Sequence, residues 1–202
     1  MSGPSVVSSV PSPASDGPRR RLATVANGLT LLRIVLVPVF VVLIVVSGMS
    51  SSGYRIAAAF AFGVASLTDF VDGYLARAMN QVTPFGQLAD PIADKALTGA
   101  ALVMLSIYDR LPWWVTIVIM AREVGVTLLR VWVIRHGVMP ASRGGKLKTV
   151  LLIAAITWYI WPFSAGLAAV GPWIMGLATL VTVATGIDYV LRALRVRAAA
   201  SR

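Results

Sequence analysis

Residues 69–77 read DFVDGYLAR and residues 86–94 read GQLADPIAD, each at the polar end of a segment otherwise apolar enough to cross a bilayer. Asp69, Asp72, Asp90 and Asp94 supply four of the chain's eight acids within 26 residues. Carboxylates at membrane depth are costly, and they face an interior cavity or a partner rather than lipid. At about 100° per residue, Asp69, Asp72, Gly73, Ala76 and Arg77 share one helix face, while Val71 and Leu75 point away. Asp90 and Asp94 lie four apart and stack on one face of the next helix, with Gly86 one turn earlier. A short connection between these two helix ends brings four carboxylates together.

Working outward, six apolar segments follow one another near 28–47, 54–78, 88–107, 113–134, 147–163 and 167–191. Of the 202 residues, 57% are hydrophobic and 13% charged, against about a quarter charged in a soluble domain. A spanning helix takes about 20 apolar residues, so the chain has room for six. The fold expected is all-α, a polytopic bundle of six transmembrane helices with a cytoplasm-facing active-site cavity. Residues 1–23, rich in Ser, Pro and Gly and carrying Arg19–Arg21, read as a disordered cytoplasmic tail. Residues 24–195 form the membrane domain and 196–202 a basic C-terminal tail. The apolar stretch after the arginines is long enough to span and lacks a cleavage site, which argues against a signal peptide. Pro38, inside the first segment, is expected to kink it.

Lys and Arg set the orientation. With the N-terminus inside, the cytoplasmic side receives Arg19–Arg21, Arg77, Arg135, Arg143, Lys146, Lys148, Arg192, Arg195, Arg197 and Arg202. The outer side receives Arg55 and Arg110. Both termini and the acid-rich connection then face the cytoplasm of a cell (plasma) membrane protein. The formal charge of +10 suits a membrane surface or anionic substrates, and the apolar background argues against nucleic acid. There is no cysteine and one histidine, His136, which excludes disulfides, thiolate chemistry and His-rich metal sites.

Four carboxylates do not stay ionised side by side without a cation. Hard divalent ions take oxygen ligands, and Mg²⁺ typically combines carboxylates with substrate phosphates. Glycines and Arg77 around the cluster suit a pyrophosphate, so the pattern points to metal-assisted phosphoryl-type transfer. Two other readings stand beside it. The acids are paired for packing alone with Arg77, Lys95, Arg122 or Arg130, or they line the path of a cation-coupled transporter. The transporter requires polar residues across the whole membrane, and segments five and six contain almost none.

The spacing D-x-x-D-G-x-x-A-R, a short gap, then G-x-x-x-D-x-x-x-D resembles the signature of the CDP-alcohol phosphotransferases, with every fixed position present. Asn27-Gly-Leu-Thr30-Leu-Leu-Arg33, Trp113-Trp114, Arg122-Glu123 and Lys146-Leu-Lys148-Thr149 are similar to the phosphatidylglycerophosphate synthase branch. The resemblance covers about residues 24–195. It implies transfer of a phosphatidyl group from CDP-diacylglycerol to sn-glycerol 3-phosphate, with release of CMP. By motif position, Asp69, Asp72, Asp90 and Asp94 would hold Mg²⁺ or Mn²⁺, as two ions, with Asp94 also the catalytic base. CDP-diacylglycerol would meet Asn27, Thr30, Arg33, Gly73, Ala76, Arg77, Thr83 and Gly86. Inositol phosphate, or phosphatidylglycerol as in a cardiolipin synthase, are alternative acceptors of the same chemistry.

A dianionic acceptor phosphate needs cations. Arg122, Arg130, Arg143, Lys146 and Lys148 are the candidates. Arg122 with Glu123 also reads as a packing pair, and Lys146 and Lys148 also read as positive-inside residues. Lys95 stands beside Asp94, placed to orient it or to balance the acids. Membrane lipids are further partners, and family members are often homodimers.

Overall fold

A computed structural model describes residues 17–79, 84–134 and 144–200, with side chains over 31–68, 95–129 and 147–195. The regular structure among the described residues is all helix, without a strand: α1 (Gly17–Ser47), α2 (Ser52–Met79), α3 (Pro84–Ile107), α4 (Trp113–Ile134), α5 (Gly144–Ile160), the single turn α6 (Ala165–Ala168) and α7 (Gly171–Ala200). The five long helices α1 to α5, together with α7, fall on the six apolar segments.

Two boundaries differ from the sequence reading. Helix α1 begins at Gly17, so residues 17–23 are helical and not part of the expected tail. Pro18 falls in the first turn, where its missing N–H costs nothing, and the Arg, Leu and Ala that follow favour helix. Helix α7 runs on to Ala200, taking in most of the expected basic tail, where an alanine run sustains it. Helix α1 passes through Pro38 without interruption.

Consecutive helices reverse direction, and one end of the bundle is tied together by backbone capping. The α1–α2 turn uses left-handed residues at Gly48 (φ 51°) and Met49 (φ 55°). Gly48 N–H donates to Ile44 O at 3.0 Å, closing α1. The Met49 side chain is buried, and packing holds its unusual backbone in place. Arg110, at the α3–α4 turn, donates from Nη2 to Met49 O at 3.1 Å. Arg55, in the first turn of α2, donates from Nε to Ile160 O (2.9 Å) and from Nη2 to Tyr159 O (3.2 Å) and Trp161 O (3.0 Å). One guanidinium thus meets three carbonyls at and just past the C-terminus of α5, of which that of Trp161 also accepts from Phe163 N–H, and the helix dipole there also favours a cation. The two arginines that the sequence assigns to the outer face are therefore helix caps.

The core draws on α1, α2, α3, α4, α5 and α7. Phe40 and Phe62 meet with ring centroids 5.7 Å apart, surrounded by Ile44, Leu102, Leu105, Ile119 and Ile156, all buried. Small residues on α2, Ala58, Ala59 and Ala65, let helices approach closely. Ser106 and Thr116 share a buried hydrogen bond of 2.8 Å between α3 and α4.

The outside is apolar. Leu31, Val42, Phe60, Leu67, Trp114, Ile117, Leu128, Trp173 and Leu180 are exposed large hydrophobic residues drawn from four helices and more. A surface of this kind belongs against lipid or another chain, not water. Among the described residues one stretch, Ala165–Arg195, is by itself long and apolar enough to cross a membrane; Leu31–Ser47, Lys95–Ile107 and Leu147–Ile160 are apolar but shorter. None of Arg33, Lys95 and Lys148, which lie in these shorter runs, is exposed.

Replacing Arg55 by Met takes a donor from the Tyr159 and Ile160 carbonyls of α5 and from that of Trp161. We expect a loss of about 1–2 kcal/mol in stability, read as an earlier thermal unfolding midpoint in detergent, with little change in substrate KM.

Candidate active site

The backbone sets the level of each motif residue. Helix α2 carries Asp69, Asp72, Gly73, Ala76 and Arg77 in its last turns, and α3 carries Gly86, Asp90 and Asp94 in its first. Counting about 1.5 Å per residue along each helix from the capped end, the four aspartates lie about 20–30 Å away, with Asp69 and Asp90 at matching levels near 26 Å. The two helices adjoin one another. The side chains of Asn27, Thr30, Asp69, Asp72, Gly73, Ala76, Arg77, Gly86, Asp90, Asp94, Arg130 and Lys146 lie outside the described residues, and so do Thr83 and Arg143 altogether.

Next to the acids is a layer of charge whose side chains are described. Arg33 on α1, Lys95 on α3, Arg122 and Glu123 on α4, Lys148 on α5, and Thr182 and Thr185 on α7 all lie about 14–21 Å from the capped end by the same count. Arg33 is fully buried and Lys148 nearly so.

Glu123 is the centre of this layer. Its Oε1 accepts from Lys148 Nζ in a close ion pair and from Arg122 Nη1 at 3.2 Å. Lys95 Nζ is 3.8 Å from Oε2. Three helices therefore place cations on a carboxylate that is largely withdrawn from solvent, as a desolvated charge requires. Arg122 also reaches away from Glu123, donating from Nε to Thr182 O (2.9 Å) and from Nη2 to the Thr185 hydroxyl (2.8 Å). Gly186 makes room for it: a Cβ there would sit 2.9 Å from Arg122 Cγ. The described hydrogen bonds of Arg122 thus tie α4 to α7.

Between α3, α4 and α5 a cavity of about 40 Å³ is lined by Lys95, Thr98, Glu123, Lys148 and Thr149, with Met120, Val124, Leu152 and Ile153 as its apolar wall. That space holds a few waters or one compact anion. Of the cations expected around an acceptor phosphate, Lys148 lines this cavity and Arg122 does not.

The role of Glu123 as a shared counter-ion for α3, α4 and α5 was not legible as such. A signal existed: it is the only acid between Asp109 and Asp188, in a stretch carrying several cations. Lys95 was read against Asp94, its chain neighbour, and also lies beside Glu123.

The CDP-alcohol phosphatidyltransferase family model matches residues 23–184. The probable phosphatidylglycerophosphate synthase of Mycobacterium tuberculosis (strain H37Rv) is 49% identical over 189 residues, covering 94% of this chain and 90% of the relative. The CDP-diacylglycerol–glycerol-3-phosphate 3-phosphatidyltransferase of Bacillus subtilis is 37% identical, covering 81% of this chain and 91% of the relative. The protein of the same name in Escherichia coli K12 is 39% identical, with 66% and 74% covered.

A side chain at Gly186 must displace Arg122. Gly186→Val is expected to loosen α4 from α7 and cost about 1–3 kcal/mol, seen as a lowered unfolding midpoint, with Gly186→Ala intermediate.

Proposed function

The chain belongs to the CDP-alcohol phosphatidyltransferase family, and from that premise we propose that it transfers the phosphatidyl group of CDP-diacylglycerol to sn-glycerol 3-phosphate, producing phosphatidylglycerophosphate and CMP in phospholipid biosynthesis. The observation that carries this reading is the paired motif of residues 69–77 and 86–94, borne on the last turns of α2 and the first turns of α3, two helices that adjoin. The near full-length similarity to relatives named for this reaction supports the choice of acceptor.

The donor set fits a hard divalent cation, Mg²⁺ or Mn²⁺. Four carboxylates fall within about 10 Å of helix length, on two adjoining helices. Asp69, Asp72 and Asp90 are the residues that would hold it, with Asp94 beside them. Bound there, such an ion supplies neutralisation of the pyrophosphate and polarisation of its phosphorus. Asp94 takes the proton of the attacking glycerol hydroxyl. Gly73, Ala76 and Gly86 keep the motif face slim enough for the nucleotide to approach, and Arg77 meets its phosphates. Asn27, Thr30, Arg33 and Thr83 complete the CDP-diacylglycerol contacts.

The acceptor phosphate takes Lys148 and Lys95 from the described cavity, with Arg130, Arg143 and Lys146 as further cations. Arg122 serves instead as the tie between α4 and α7.

In this reading α1 to α5 and α7 cross the cell membrane, residues 24–195 form the membrane domain, and the acid end faces the cytoplasm. The apolar exterior and the excess of Lys and Arg at the acid end support that orientation. Its partners are then CDP-diacylglycerol, glycerol 3-phosphate and the surrounding lipids.

Purified protein given Mg²⁺, CDP-diacylglycerol and glycerol 3-phosphate should release CMP, and glycerol or serine in place of the acceptor should not support it. Absence of CMP release with every phosphorylated polyol tried overturns the proposal. Asp94→Asn should lower kcat about 10³-fold while leaving CDP-diacylglycerol binding nearly intact. An equal loss of binding makes Asp94 chiefly a ligand.

A further inference from the structure

We propose that Glu123 is a positioning residue for the acceptor, holding Lys95 and Lys148 on opposite walls of the α3–α4–α5 cavity and thereby fixing the preference for a phosphorylated alcohol. The inference rests on the proposed transfer to glycerol 3-phosphate and adds to it the device that sets the cavity's charge.

A carboxylate inside an anion-binding cavity looks self-defeating, and the geometry explains it. Lys148 and Lys95 come from different helices and converge on the two oxygens of one carboxylate, Oε1 and Oε2 respectively. Arg122 shares Oε1 at 3.2 Å and is anchored on the far side by α7. In the lining two cations face one anion, and Arg122, which shares Oε1 from outside the lining, brings the group to a surplus of two positive charges. A phosphomonoester dianion matches that surplus; an uncharged alcohol does not. Lys95, at 3.8 Å and with its side chain 28% exposed, is the loosest of the three and the one best able to turn toward an incoming anion.

Removing the carboxylate leaves three cations repelling one another in an apolar setting. An ammonium as withdrawn as that of Lys148 loses its compensation and is driven to swing away. The cavity would then gain formal charge and lose the arrangement that makes it useful. The opposite view is that Glu123 merely occupies the place of the phosphate. It predicts tighter acceptor binding when the carboxylate is removed.

The test uses the full-length protein in lipid nanodiscs, with CMP release as the readout. Glu123→Gln is expected to raise the glycerol 3-phosphate KM at least tenfold and leave the CDP-diacylglycerol KM within twofold. Glu123→Asp, which keeps the charge, should recover part of the loss. Lys95→Gln should raise the acceptor KM alone. Because Glu123 acts in part through Lys148, the loss in the Glu123→Gln/Lys148→Gln double variant should be smaller than the sum of the two single losses. An acceptor KM that is unchanged or lowered in Glu123→Gln, a parallel rise in both KM values, or additive losses in the double variant overturns the inference. If Glu123→Gln does not yield folded protein, the same comparison of KM values in Glu123→Asp and Lys95→Gln decides it. A wild-type protein inactive with all acceptors overturns the proposed function itself.

Discussion

The Glu123 carboxylate joins α3 and α5 to α4 through Lys95 and Lys148, and Arg122 carries the connection on to α7. Apolar helices slide and rotate against one another at little cost, because one aliphatic contact resembles the next. Charge removes that freedom. A withdrawn cation has few acceptable partners, so Lys95, Arg122 and Lys148 fix the rotation of three helices about their axes. Breaking one partner of such a group leaves the others uncompensated, which makes the layer cooperative.

The two ends of the bundle solve different problems. At the capped end, arginine side chains go to backbone carbonyls: Arg55 to the end of α5, Arg110 to the α1–α2 turn. These bonds hold the loops at that end. At the other end, carboxylates and cations are carried at closely spaced levels on α1, α2, α3, α4 and α5. A rigid base beneath a polar mouth is what a transfer site requires, because reacting groups must be held to within fractions of an ångström.

Much of the helical plan could be read from the sequence, because apolar runs of about 20 residues separated by polar breaks leave few alternatives. The acid motif was legible for the same reason: Asp69, Asp72, Asp90 and Asp94 are conspicuous in apolar surroundings, and their spacing is periodic. The start of α1 was not. Ser, Pro and Gly upstream suggested a tail up to residue 23, yet from Gly17 local helix propensity extends an already nucleated helix at small cost. Alternation of the apolar segments puts Arg55 and Arg110 at one shared end, but their bonds to backbone carbonyls depend on where α5 and α1 stop in space. Glu123 shows the same limit more sharply. Its partners Lys95 and Lys148 are 28 and 25 residues away, and only the packing of three helices brings them to it.

On the proposed reading, the height of the charged layer also answers why such chemistry is built on membrane helices. The hydrocarbon core is about 30 Å thick. Acids about 20–30 Å from the capped end, measured along their helices, then stand near the opposite headgroup region. CDP-diacylglycerol keeps its acyl chains in the core and its pyrophosphate at the interface, so its reactive phosphorus is delivered to that height without leaving the bilayer. Glycerol 3-phosphate arrives from water and needs a cationic recess slightly deeper, so that its hydroxyl, not its phosphate, faces the acids. Lys95 lies one residue beyond Asp94 on α3, and Lys148 lies at the same level on α5. The order of charges along the bundle, acids toward the mouth and cations beneath, would orient a small dianion with its phosphate inward and its nucleophile outward.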